Sequence, residues 1–164
     1  MLNKKVAKLI NEQVNKEMYS AYLYLDFANY FEDEGLDGFA NWYTIQAQEE
    51  MEHAMKMRKY LIDNGVRVEL EAIGKPDKVI KAPLDAVKAG LVHEQYVTGL
   101  INAIYDAAWE VKEYKTMQFL DWFVKEQVEE EKNAEELLNK VETFAKELPG
   151  LYALNQELKG RKAD

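Results

Sequence analysis

Apolar residues recur along most of the chain at steps of three and four, the spacing that places them down one side of an α-helix. The first stripe, Val6, Ile10, Gln13, Glu17, Ser20, Tyr24, Phe27 and Phe31, predicts a helix from about Lys4 to Glu34, ended by the turn sequence EGLDG. A second, Phe39, Trp42, Gln46, Glu50, His53, Met57 and Leu61, runs to about Asn64, where Asn-Gly closes it. The third stripe is Leu84, Val87, Leu91, Glu94, Thr98, Ile101, Tyr105 and Ala108. After a short break near KEYK, a fourth follows with Phe119, Phe123, Gln127, Glu130, Ala134, Leu137 and Val141, and LPG is expected to end it.

Helices of about 28 residues reach roughly 42 Å at 1.5 Å per residue. Elements of that length bury their stripes by packing lengthwise. Short links make the first two helices neighbours, and likewise the last two, whereas GVRVELEAIGKPDKVIKAP is long enough to cross a bundle. The expected fold is all-α: a four-helix bundle over about 4–146, with a long crossover between helices two and three. A short fifth helix at about 150–160 completes one domain of residues 1–164.

A chain of 164 residues can bury a real core without disulfides or structural metal. Its lack of cysteine removes thiolate sites, thiol catalysis and disulfides from consideration and suits a reducing compartment. The opening MLNKKVAKLI has neither the apolar run nor the cleavage site of a signal peptide, and no stretch reaches the roughly 20 apolar residues of a membrane span. A cytoplasmic protein without a membrane partner is expected. Thirty acidic against 21 basic residues, a net charge of -9, disfavour nucleic acid and draw cations, although a merely soluble acidic surface carries the same charge.

Charge changes the picture where it enters the stripes. Glu17, Glu50, His53, Glu94, Gln127 and Glu130 stand where the periodicity expects core residues, at similar heights in the antiparallel pairs. An unpaired carboxylate there costs several kcal/mol, and no Lys or Arg shares the stripes. Protonation would relieve part of that cost; two divalent cations would balance all four carboxylates. A carboxylate-rich set with one imidazole suits iron or manganese, and zinc could also bind. Glu50 and His53, at i and i+3, share a helix face. An isolated Glu-x-x-His in a Glu-rich helix is commonly coincidence; six polar groups on four stripes are a stronger signal. An offset of 77 positions carries Glu17 onto Glu94, Glu49 onto Glu126, Glu52 onto Glu129 and His53 onto Glu130, as two similar hairpins would, although chance matching among Glu-rich helices gives the same pattern.

The segments LNEQVNKEMYSAYLYL, QAQEEMEHAMKM, HEQYVT and FLDWFVKEQVEEE, with a Glu from each of two helices and Glu-x-x-His from another, resemble the non-haem ferritins of bacteria and archaea through all five helices. The resemblance implies an iron-storage protein and ferroxidase. Fe2+ would be oxidised with O2 or peroxide at a di-iron centre inside each subunit and kept as a ferric oxo-hydroxide mineral. Glu17, Glu50 and His53 would then hold one iron and Glu50, Glu94 and Glu130 the second, with Glu50 bridging, Gln127 beside the pair, and Tyr24 as a supporting or electron-donating phenol. A third iron position matches Glu49, Glu126, Glu129 and Glu130. The resemblance further implies a homo-oligomer, a hollow shell of 24 subunits with the fifth helix lining a pore.

Departures separate the chain from other relatives. The fourth helix reads Gln127-Val128-Glu129-Glu130 where bacterioferritins repeat Glu-x-x-His. Met51, at the position of their haem-ligating methionine, is expected to pack at an interface, so no haem is expected. The absence of Cys excludes the Cys-rich iron domain of rubrerythrins. His93 is expected off the inner stripe, and Tyr30, Trp109 and Trp122 at least partly outward. On the residues alone two other classes stay open: a di-metal oxygenase or peroxidase, and a structural bundle that merely tolerates its buried acids.

Overall fold

Asn3 accepts hydrogen bonds from the backbone N–H groups of Lys5 (2.9 Å) and Val6 (3.3 Å), satisfying two of the donors that a helix start leaves free. From that cap α1 runs over Lys4–Asp33 in the computed structural model, which describes all of residues 1–164. It is followed by α2 (Asp37–Asp63), α3 (Pro83–Glu110), α4 (Tyr114–Phe144) and α5 (Leu148–Leu158). The α1–α2 and α3–α4 turns make two hairpins, α1 packs on α3, and α5 lies against α2 and α4. This is the all-helical bundle, with crossover and short fifth helix, that the stripes predict. No helix is long and apolar enough to cross a membrane.

The helix ends follow local chemistry. Gly35 (φ +73) and Gly65 (φ +74) close α1 and α2 in the left-handed region, where a Cβ would be strained. At the start of α3, Pro83 costs no helical hydrogen bond, and Asp85 Oδ2 accepts from the N–H groups of Lys81 and Ala82, both at 3.0 Å. LPG does not end α4, as expected from its breakers, but opens α5: the fourth helix has already stopped at Phe144, and Pro149 sits in the first turn of the next. A Cβ on Gly150 would collide with the Phe144 carbonyl, so glycine permits this close return.

The crossover has no regular secondary structure and is tied to α1 by two asparagines. Asn11 donates to the Glu69 carbonyl (3.1 Å) and accepts from its N–H (2.8 Å); Asn15 donates to the same carbonyl (3.0 Å) and accepts from the Glu71 N–H (2.8 Å). Side-chain amides thus stand in for a neighbouring strand.

The core has two apolar halves. One gathers Val6, Ile10, Val14, Met57, Leu61, Ile101, Leu120 and Phe123. The other gathers Phe27, Phe31, Phe39, Tyr43, Val87, Leu137 and Val141. Gln13, Glu17, Ser20, Gln46, Glu50, His53, Glu94, Gln127 and Glu130 are buried as well. Three expected stripes rotate slightly, and on α4 Leu120 takes the interior place of half-buried Phe119. Tyr43 replaces Trp42 in the interior, and Gly90, Val97 and Ile104 displace half-buried Leu91, Thr98 and Tyr105 on α3.

Candidate metal centre

Each long helix delivers its polar group from the stripe that also carries its core residues, so packing of the apolar halves fixes the carboxylates between them. Three sets of ligand atoms lie within 4.8 Å of one another: Glu17, Glu50 and His53; Glu50, Glu94 and Glu130; and His53, Glu126 and Glu130. Glu50 belongs to the first two sets and Glu130 to the last two.

The surrounding hydrogen bonds orient these groups. Gln13 Nε2 donates to Glu17 Oε1 at 3.1 Å, while Glu17 Oε2 is buried with no partner at all. Gln46 Nε2 donates to Glu50 Oε1 (3.0 Å) and Glu130 Oε2 (2.6 Å), coupling α2 to α4. Tyr24 donates to Glu94 Oε1 at 2.7 Å. Gln127 gives its amide to the Glu94 carbonyl (3.2 Å) and carboxylate (3.4 Å) and to the Thr98 hydroxyl (3.1 Å), so in this arrangement it supports Glu94. His53 Nδ1 lies 3.3 Å from Glu50 Oε2 and Nε2 lies 3.9 Å from Glu126 Oε1.

The electrostatics are those of buried carboxylates crowded against one another. Burial, then the neighbouring carboxylates of Glu94, Glu17 and Glu130, push the Glu50 carboxyl well above its ordinary range. Glu130 is raised for the same reasons, with Glu94 its main charged neighbour. Glu94 is pushed up to about 7 by burial, against the lowering effect of the Tyr24 hydrogen bond. Burial lowers His53, keeping the imidazole neutral and free to act as a ligand. Without cations, protons must neutralise part of the cluster; divalent cations would do so while also capping the orphaned Glu17 oxygen.

The residues matched to a third position are arranged differently. Glu126 and Glu130 face His53, Glu129 is exposed and belongs to none of the three sets, and Glu49 is held by Arg161 Nη2 at 3.0 Å. Arg161 and Gln46 have roles that the sequence did not reveal. Gln46 stood one turn before Glu50 on the stripe, a usable signal; Arg161 lies beyond α5 in no periodic pattern. His93 is half-buried, its Nε2 2.7 Å from the Ser20 hydroxyl. Trp109 and Trp122 are exposed, Trp122 beneath Lys56 at 3.4 Å, and Tyr30 is half-buried, so all three are at least partly outward as expected.

Known proteins share this architecture over its whole length. Residues 7–144 match a family model described as a ferritin-like domain. A bacterial non-heme ferritin of Campylobacter jejuni is 38% identical over 97% of this chain and 95% of its own, and one from Staphylococcus haemolyticus is 36% identical over 100% and 99%. Among solved structures, an engineered closed form of the Archaeoglobus fulgidus ferritin superposes with a TM-score of 0.97 at 39% identity, covering 100% of both chains. The open-pore ferritin of the same archaeon gives 0.96 at 40%, covering 99% of this chain and 100% of its own. Bundle, crossover and buried carboxylate layer thus coincide with full-length similarity, and the chain belongs to the ferritin family.

Proposed function

We propose that this chain is an iron-storage subunit that oxidises Fe2+ with O2 or peroxide at a centre inside its own bundle and keeps Fe3+ as a ferric oxo-hydroxide mineral within a shell of like subunits. The observation that carries the reading is the sharing of buried Glu50 between two ligand sets, because one bridging carboxylate holds two cations close enough to act together. Glu17 and His53 complete one position, and Glu94 and Glu130 the other. Glu126 and Glu130, which lie against His53, serve a third together with Glu49 of α2 and Glu129 of α4.

With O2 as oxidant, two Fe2+ give one electron each and O2 takes both, leaving with two protons as hydrogen peroxide. The protein's part is to bind, orient and exclude. Glu50 and Glu130, fixed by Gln46, define the spacing; Glu94 is steadied by Tyr24 and Gln127; the apolar halves above and below keep water out. A cleft of about 210 Å3 lined by Glu49, Glu52, His53, Lys56, Trp122, Glu126 and Asp164 gives hydrated cations a polar approach to His53. Such a lining suits an ion better than an organic substrate, which favours storage over an oxygenase.

The test is anaerobic Fe2+ binding followed by rapid mixing with O2. The expected result is two ferrous ions bound per chain, oxidised in one fast phase at two Fe2+ per O2, followed by mineral growth. Binding without oxidation, or oxidation without particle growth, would overturn the reading.

A further inference from the structure

Arg161, three residues beyond the end of α5, reaches back to the edge of the carboxylate layer, and its backbone is fixed before its side chain is. Asn155 of α5 caps α2 by accepting from the N–H groups of Gly38 (2.7 Å) and Phe39 (3.2 Å), and a Cβ on Gly38 would strike the Asn155 carbonyl. Asn41 Nδ2 then holds the carbonyls of Leu158 and Arg161, both at 3.1 Å. The guanidinium lies over the Trp42 ring at 4.1 Å, donates through Nη1 to the Trp42 carbonyl (2.8 Å), and divides Nη2 between Gln46 Oε1 (2.9 Å) and Glu49 Oε2 (3.0 Å).

Two consequences meet in that fork. With Oε1 of Gln46 taken by a donor, the amide is locked with Nε2 toward Glu50 (3.0 Å) and Glu130 (2.6 Å), the two carboxylates shared between ligand sets. Glu49, meanwhile, has one oxygen on a fixed cation and the other buried without a partner. A guanidinium keeps its charge at every working pH, so a divalent cation that uses Glu49 must share it with a permanent positive neighbour.

We propose that Arg161 is a positioning residue that sets the order in which the cation sites fill. Through Gln46 it presets Glu50 and Glu130 for the first two cations, and by occupying Glu49 it holds back the third. This rests on the reading that Glu49 and Glu126 serve a third cation. A lysine would keep the charge but could not bond Gln46, Glu49 and the Trp42 carbonyl together, because an ammonium lacks the planar fork.

The experiment is an anaerobic titration of the iron-free, full-length protein with Co2+ alone, following the visible absorption of each bound equivalent. Wild type is expected to take two Co2+ per chain tightly and a third more weakly. Arg161→Gln is expected to bind the third at least tenfold more tightly and to alter the spectrum of the first two, whose retention also shows that the variant is folded. Arg161→Lys is expected to restore weak third binding but not the wild-type spectrum. Adding Glu126→Ala to Arg161→Gln should abolish the gain. Third-site affinity within twofold of wild type in Arg161→Gln, with Glu126→Ala still weakening it, would overturn the role of Arg161 and leave the third site standing. If neither Glu49→Gln nor Glu126→Ala changes the third equivalent in any background, the third-site reading fails and this proposal with it. Should Arg161→Gln not assemble, a wild-type Co2+ spectrum in Arg161→Lys would overturn the positioning role.

Discussion

Tyr24 donates its phenol proton to Glu94 at 2.7 Å across the contact of α1 with α3. Burial, and then Glu94 itself, hold the phenol well above its ordinary titration range, so it remains a donor at every working pH. Tyr24→Phe keeps the ring against Tyr43 and Phe27 but removes the one hydroxyl that steadies this ligand. A hydrogen bond to a charged acceptor contributes about 1.5–3 kcal/mol, so oxidation should slow roughly tenfold or more if the full amount is lost in the transition state. The two-ion binding stoichiometry should persist. Stopped-flow oxidation beside a Co2+ titration checks both, and an unchanged rate would reduce Tyr24 to a packing residue.

The pH dependence of stability should change sign with metal. Glu94, raised to about 7, and Glu50 and Glu130, raised further, stay protonated in the folded state where the unfolded chain has released those protons. Their contribution is fully present below the unfolded value of 4.5 and is lost as pH rises through the folded values. His53, lowered, and His93, lowered to about 4, act oppositely but only below their unfolded value of 6.5. Between pH 6.5 and 8 the iron-free protein should therefore lose thermal stability as pH rises. With Co2+ bound the carboxylates must be deprotonated, so metal stabilisation should grow over the same window. Thermal midpoints at one scan rate, with and without Co2+, decide it; a rising midpoint without metal would contradict the proton count.

Glu50 should matter most to chemistry and little to the iron-free fold. It is crowded by Glu17, Glu94 and Glu130, so Glu50→Ala removes a desolvated, repelled group, and Gln46 keeps its bond to Glu130. Rapid oxidation should disappear and Co2+ should no longer raise the midpoint, while the metal-free midpoint stays level or rises. His53→Ala should weaken chiefly the position it shares with Glu17. Normal oxidation by Glu50→Ala would mean that the acids are not the reacting centre.

Much of this architecture is legible in the stripes because a long helix must bury one face, and the positions at which Glu17, Glu50, Glu94 and Glu130 interrupt the α1, α2, α3 and α4 stripes are buried in the structure. The bundle and its crossover follow from helix lengths and link lengths alone. What the periodicity could not carry lies outside it. The asparagine ties from α1 to the crossover pair side chains with an irregular backbone that has no period of its own. α5 starts earlier than its pattern implies because Leu-Pro-Gly serves equally as a helix stop or a helix start, and only the return of Gly150 against Phe144 distinguishes them. Arg161 approaches Glu49 through tertiary folding of the segment after α5, and no spacing within a helix encodes that.

Assembly should depend on the outer face of the first hairpin. Met18, Tyr22 and Leu25 on α1 face Thr44, Gln48 and Met51 on α2 across an apolar groove of about 320 Å3, with Ile73 of the crossover at its edge. Tyr22, Leu25 and Met51 are 52%, 46% and 42% exposed in the single chain and adjoin one another, an apolar set of the kind that a second surface covers. A face of this kind is satisfied when two copies present it to each other about a two-fold axis, and further contacts between such pairs build a shell. Leu25→Glu would place a charge in the groove of both copies at once. It is expected to release particles much smaller than the wild-type shell in light scattering and negative-stain images. Each released chain should still be helical and still bind two Co2+, because Glu17, Glu50, Glu94 and Glu130 are buried inside the bundle while Leu25 is exposed on its surface. A wild-type protein that stays monomeric at micromolar concentration would overturn the shell. A Leu25→Glu protein that still assembles at full size would place the contact on another face.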